Sequence, residues 1–177
     1  ARDVERCVRQ FRPVDYGVPF TPGPGVGARF RDAGHILGAA SIEVDLDHGG
    51  TSRRVVFSGD IGERGRPILR DPDPPTRADI VLVESTYGDR EHKSLDDTEA
   101  EFTSVIEDTL ARRHGNIIIP AFAVGRIQEV LYLICRLARE GRVQAPKSGI
   151  NIFVDSPLGK RATELTLKHH RILDDDV

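Results

Sequence analysis

Three polar residues stand where apolar stretches give way to glycine-containing turns. They are His35 in Asp32-Ala33-Gly34-His35-Ile36-Leu37-Gly38, Asp60 in Val55-Val56-Phe57-Ser58-Gly59-Asp60, and Glu84 in Ile80-Val81-Leu82-Val83-Glu84. An imidazole and two carboxylates are donors that first-row metal ions accept, zinc among them. A zinc ion brings the pKa of a bound water to about 7, which supplies a nucleophile for hydrolysis at neutral pH. Each residue also has an ordinary use. A histidine in a glycine-flanked loop commonly serves as a hydrogen-bonding group, an aspartate after glycine as a turn residue, and a glutamate at a strand end as an ion-pair partner. Shared chemistry requires that the three segments be brought together, which is the task of the elements that carry them.

Those elements change style along the chain. A short polar helix over 3–11 precedes a loop punctuated by Pro13, Pro19, Pro22, Gly23, Pro24 and Gly25. Val26, Ala28 and Phe30 then alternate with Arg29 and Arg31, and Ile42, Val44 and Leu46 alternate with Glu43, Asp45 and Asp47. A turn at 48–52 leads into Arg53 to Phe57, so this part predicts an antiparallel meander. The run Ile80 to Val83 is apolar without alternation, which predicts a strand covered on both faces. Beyond Ser94 the period becomes helical through Phe102, Val105, Ile106 and Leu110, with Ser94 and Asp97 at capping-box spacing and Gly115 as the stop. A strand over 116–119, a helix through Ile127 to Leu137, a strand over 150–154 and a helix beginning at Ser156-Pro157 follow. Strand and helix in alternation predict a parallel sheet with crossovers.

Composition bounds the function. The 177 residues carry 25 Lys and Arg against 28 Asp and Glu, a formal charge of −3, so no overall basic field favours coating of duplex DNA. With 38% hydrophobic residues the chain has material for a core, which excludes disorder as its main state. Its longest apolar run, Ile117 to Val124, contains Pro120 and falls well short of the roughly 20 residues a spanning helix needs, so no membrane span is expected. Cys7 and Cys135 are the only cysteines. They exclude a disulfide framework or a CxxC metal knot, read as small core or helix residues, and suit a reducing, cytoplasmic setting. The chain lacks Met and opens on Ala1-Arg2-Asp3-Val4 without a targeting pattern, and is read as an excised piece.

In order along the chain, 32–40, Phe57-Ser58-Gly59-Asp60-Ile61-Gly62 and Val83-Glu84-Ser85-Thr86-Tyr87-Gly88-Asp89-Arg90-Glu91-His92 resemble the metallo-β-lactamase superfamily, specifically its β-CASP branch of nucleic-acid nucleases. Pro120 to Glu129 and Val154-Asp155-Ser156-Pro157-Leu158 look like the opening of the inserted β-CASP domain. The resemblance implies an α/β fold, with residues 1–95 forming part of an αββα metallo-β-lactamase fold and residues 96–177 beginning a parallel-sheet β-CASP domain. It also implies a pair of zinc ions that activate a hydroxide against a phosphodiester, with His35 ligating one zinc and Asp60 bridging both. Glu84 matches an active-site carboxylate of the branch, suited to orienting a neighbouring histidine. His92 follows Tyr87-Gly88-Asp89-Arg90 as in relatives and joins Asp60 and Glu84 as a catalytic candidate. Arg126 and Ser156, at the starts of helices, are candidates for binding RNA phosphate.

The HxHxDH motif that supplies most zinc ligands in the family does not occur among the six histidines. A His and an Asp alone do not hold a tetrahedral zinc, so the chain is expected to be an internal segment of a longer nuclease, inactive by itself. The glycine-histidine pattern and the glutamate at position 84 look closer to enzymes acting on single-stranded RNA than to DNA-repair members, and the longer protein is a candidate homodimer. A DNA-directed nuclease of the same branch and a scaffold that has lost its ligands are the alternatives. A lactone or thioester hydrolase of the same superfamily is disfavoured by the β-CASP-like segments. Missing strands are expected to leave apolar edges exposed.

Overall fold

Alternation over residues 26–57 produces the strands it predicts. The computed structural model describes residues 2–143, 149–170 and 173. Its backbone contacts divide the chain into two units, one formed by Ala1–Gly34, Gly38–Ile61 and Pro72–Glu84, the other by His35–Leu37, Gly62–Asp71 and Ser85–Val177.

In the first unit, helix α1 (Arg2–Val8) precedes a five-stranded mixed sheet in the order β1 (Pro19–Gly23), β2 (Val26–Asp32), β3 (Ala40–His48), β4 (Thr51–Phe57) and β5 (Ile80–Leu82). The first four strands are antiparallel neighbours, and β5 runs parallel to β4. Register follows the pattern: Val26, Ala28 and Phe30 stand opposite Leu46, Val44 and Ile42, and the apolar row continues through Val55 and Phe57 of β4. The other face pairs Arg29 with Glu43, and Asp45 with Arg54. The more buried positions of β3 are the polar ones, Ser41 and Glu43. Glu43 is 2% exposed, with Arg31 at 3.2 Å, Arg29 at 3.9 Å and Arg54 at 4.0 Å around its carboxylate. A buried carboxylate persists where cations meet it, and long arginine side chains supply both charge and cover.

The sheet departs from its sequence pattern at two strands, β1 and β5. The Pro-rich segment before Val26 is not all loop, because Pro19–Gly23 pairs with β2 as an edge strand, where a missing N–H is tolerated. Phe20 packs on Phe30 with ring centroids 5.0 Å apart. The run Ile80 to Val83 is exposed rather than covered on both faces, and among the described residues β5 pairs with β4 alone and ends the sheet. It presents an apolar edge.

The second unit is helical. Helix α2 (Leu95–Ile106) starts on the Ser94 hydroxyl, which accepts the Asp97 N–H at 3.1 Å, and continues through a π-helical turn at Glu107–Arg112. The shorter Asp97 side chain accepts from the Ser94 hydroxyl instead of reaching back to the cap N–H as a glutamate does in a capping box. Helices α3 (Arg126–Arg139) and α4 (Pro157–Lys168) follow. Ile106, Leu137 and Val143 form a buried cluster, flanked by Phe102, Leu110, Ile117, Leu133, Ile134 and Ile150. The strands expected over 116–119 and 150–154 do not form: both stretches are irregular, and Ile118 and Phe153 are each 90% exposed. Apolar composition favours burial, but a strand exists only through hydrogen bonds to a neighbour. Cys7 and Cys135 lie on helices as expected, both exposed rather than in a core.

Candidate active site

Parallel pairing of β4 with β5 sets Phe57 opposite Leu82, so the residues that follow both strands emerge at the same sheet end. Asp60 comes three residues after Phe57, and Glu84 two after Leu82. The carboxyl ends of adjacent parallel strands commonly present functional groups, because a rigid sheet holds the loops that bear them. Glu84 Oε1 accepts the Ile61 N–H at 2.6 Å, which draws the two acidic segments together. Glu84 is half-buried, while Asp60 is exposed. Between β4 and Asp60 the chain turns at Gly59 with φ of +59°, and a Cβ there would come within 2.9 Å of the Ala40 carbonyl oxygen, so the turn requires glycine.

His35 lies in the loop between β2 and β3 and is exposed. The root of that loop is closed by the Ala33 N–H to the Ala39 carbonyl at 3.1 Å, and the Gly34 N–H donates to Asp32 Oδ1 at 2.9 Å. Among the described residues no group of three or more His, Cys, Asp and Glu side chains is arranged to hold a metal ion. The donors present therefore do not fit a zinc ion by themselves.

In the helical unit His92 and Arg126 line one cleft of about 640 Å³, together with Arg66, Lys93, Tyr132 and Arg136. The His92 ring meets the Tyr87 ring edge-on at 5.1 Å, and the Arg126 guanidinium pairs with Glu129 at 2.7 Å. Ser156 Oγ accepts the Gly159 N–H at 3.0 Å, the cap expected of it. Sequence reasoning did not single out Gln128. Its side chain accepts the Gly125 N–H at 2.8 Å and donates to Thr163 at 2.9 Å, so one buried amide ties the start of α3 to α4. An amide at the third helical position signals half of a capping box, but a bond to a second helix leaves no local trace. Ser58 was also passed over, although its place between a strand and the Gly59 turn is a signal that could have found it.

No family model matches the chain. Ribonuclease TTHA0252 of Thermus thermophilus is 37% identical over 179 residues, which cover 99% of this chain and 38% of that protein. Transcription termination factor FttA of Methanococcus maripaludis is 34% identical over 82% of this chain and 23% of its own length. Endoribonuclease YSH1 of Saccharomyces cerevisiae is 29% identical over 82% of this chain and 18% of its own length. The chain thus spans less than half of each relative.

Proposed function

The chain belongs with these relatives to the β-CASP branch of the metallo-β-lactamase family, and from that premise we propose that it is a segment of a nuclease that hydrolyses phosphodiester bonds in single-stranded RNA. The observation that carries the proposal is similarity over 99% of the chain to a protein named as a ribonuclease. The geometry supports it by bringing the segments of Asp60 and Glu84 together at one sheet end.

Phosphodiester hydrolysis needs a deprotonated water and countercharge for the phosphoryl oxygens, and a zinc pair supplies both when bound. We assign His35 and Asp60 as this chain's contribution to such a pair, with the remaining ligands supplied by other parts of a longer protein. The 177 residues alone are accordingly inactive. Asp60 offers an exposed carboxylate, and Glu84 fixes the turn that presents it. His92 serves as an auxiliary catalytic residue. Arg126, with its guanidinium about half exposed, and Ser156, at the start of α4, are assigned to RNA phosphate. The described residues include no helix long and apolar enough to cross a membrane.

The test is cleavage of end-labelled single-stranded RNA by the full-length protein with added zinc, beside DNA of the same sequence. RNA cut and DNA spared is the expected result. DNA cut in preference would replace RNA with DNA as substrate, and cleavage of neither would favour a scaffold.

A further inference from the structure

We infer that Ser58 is a positioning residue that sets both acidic segments of the site through its buried hydroxyl. The inference rests on the proposed nuclease reading for what Asp60 and Glu84 do, but not for the hydrogen bonds themselves.

Ser58 is 6% exposed and sits just past the end of β4. Its main chain continues the sheet: the N–H donates to the Leu82 carbonyl at 2.9 Å, and the carbonyl accepts from the Ser41 hydroxyl of β3 at 2.7 Å. The sheet connection to β5 would survive any side chain that fits. The hydroxyl does something else. It accepts the Glu84 N–H at 3.0 Å and donates to the Gly59 carbonyl at 2.6 Å. A serine hydroxyl has one donor and two acceptor positions, so one Oγ can serve both bonds at once. One bond fixes the backbone of Glu84, and the other fixes the turn that leads into Asp60.

Glu84 then closes the circuit, because its carboxylate holds the Ile61 N–H at 2.6 Å on the far side of Asp60. Asp60 is thereby bracketed by Gly59, held through Ser58, and by Ile61, held through Glu84. No other side chain type at position 58 supplies these bonds at this size except a threonine hydroxyl. Alanine would leave the part-buried Glu84 N–H without its hydroxyl partner, and a donor that loses its partner on folding is costly to the extent that it is buried. Ser41, also buried, anchors Ser58 from β3.

Amide exchange resolved at residues 56, 61 and 84 in the full-length protein tests the assignment. Ser58→Ala is expected to accelerate exchange at 84 and 61 by about tenfold while residue 56, inside β4, changes by less than about twofold. Glu84→Ala is expected to accelerate residue 61 alone, and Ser58→Thr to restore both amides. Protection at 61 unchanged in Ser58→Ala, or acceleration spread evenly over β4, would overturn the assignment. If Ser58→Ala does not fold, Ser41→Ala provides the test, with about threefold acceleration at 84 and 61 expected and none contradicting. In RNA cleavage, Ser58→Ala is expected to lower kcat about tenfold at unchanged KM, with rescue by Ser58→Thr. A protein that cuts no RNA defeats the nuclease reading, and the exchange pattern still decides the role of Ser58.

Discussion

The meander and the helical unit treat apolar residues differently. In the meander every strand has a hydrogen-bonded neighbour in register, and the buried positions include a carboxylate matched by three arginines. In the helical unit Leu137 is fully buried, yet Ile118 and Phe153, in stretches with strand-like composition, are almost entirely exposed. Pairing, once made, can carry charge into an interior; apolarity without pairing does not make a strand. The difference predicts where substitutions are felt.

The largest effect is expected in the helical core. Leu137→Ala removes a fully buried side chain from the cluster with Ile106 and Val143, and a loss of about 3 kcal/mol is expected in urea unfolding. Next comes the charged interior of the meander. Glu43→Gln leaves Arg29, Arg31 and Arg54 without their shared countercharge, and about 2 kcal/mol is expected, below the range for a fully buried pair because the guanidinium groups keep some water. If Glu43→Gln costs nothing, the cluster is a solvated face and the contrast between the units collapses.

A smaller, pH-dependent effect belongs to Asp45. The Arg54 guanidinium hydrogen-bonded to its carboxylate holds the pKa below the ordinary 3.8. A depressed carboxylate pKa stabilises the folded state fully above the unfolded value, and that stabilisation is lost as pH falls through the folded one. The urea midpoint is therefore expected to fall between about pH 5 and about pH 3, and less steeply in Asp45→Asn. An identical slope in the variant would show that Asp45 does not contribute to the acid sensitivity. The smallest effect is expected for Ile118→Ser, within about 0.5 kcal/mol because the side chain lies in solvent. A loss above about 1 kcal/mol would show that a partner covers this segment.

Much of the meander was legible because alternation fixes which residues share a face, and a slip of one residue would reverse the faces. Val26, Ala28 and Phe30 aligned with Leu46, Val44 and Ile42 as that logic requires. The edge strand at Pro19 was not legible, since proline and glycine read as loop until a neighbour is known. The segments at 116–119 and 150–154 were over-read for the converse reason, because composition records a preference for burial and is silent on the neighbour. At the site, Asp60 and Glu84 were found from motifs, whereas their link through Ile61 and Ser58 depends on which strand lies beside β4. Alternation sets Glu43 on the face opposite Ile42 and Val44, and three arginines from neighbouring strands explain its burial.

In the proposed function Asp60 carries the chemistry, while Arg126 holds RNA phosphate. Single-turnover cleavage of single-stranded RNA by the zinc-supplemented full-length protein, comparing Asp60→Asn with Arg126→Ala, tests it most directly. Asp60→Asn is expected to lower the cleavage rate by at least about a thousandfold at saturating RNA, while Arg126→Ala raises the RNA concentration needed and leaves the saturated rate within about threefold. An Asp60→Asn protein that cleaves at the wild-type rate would contradict the claim.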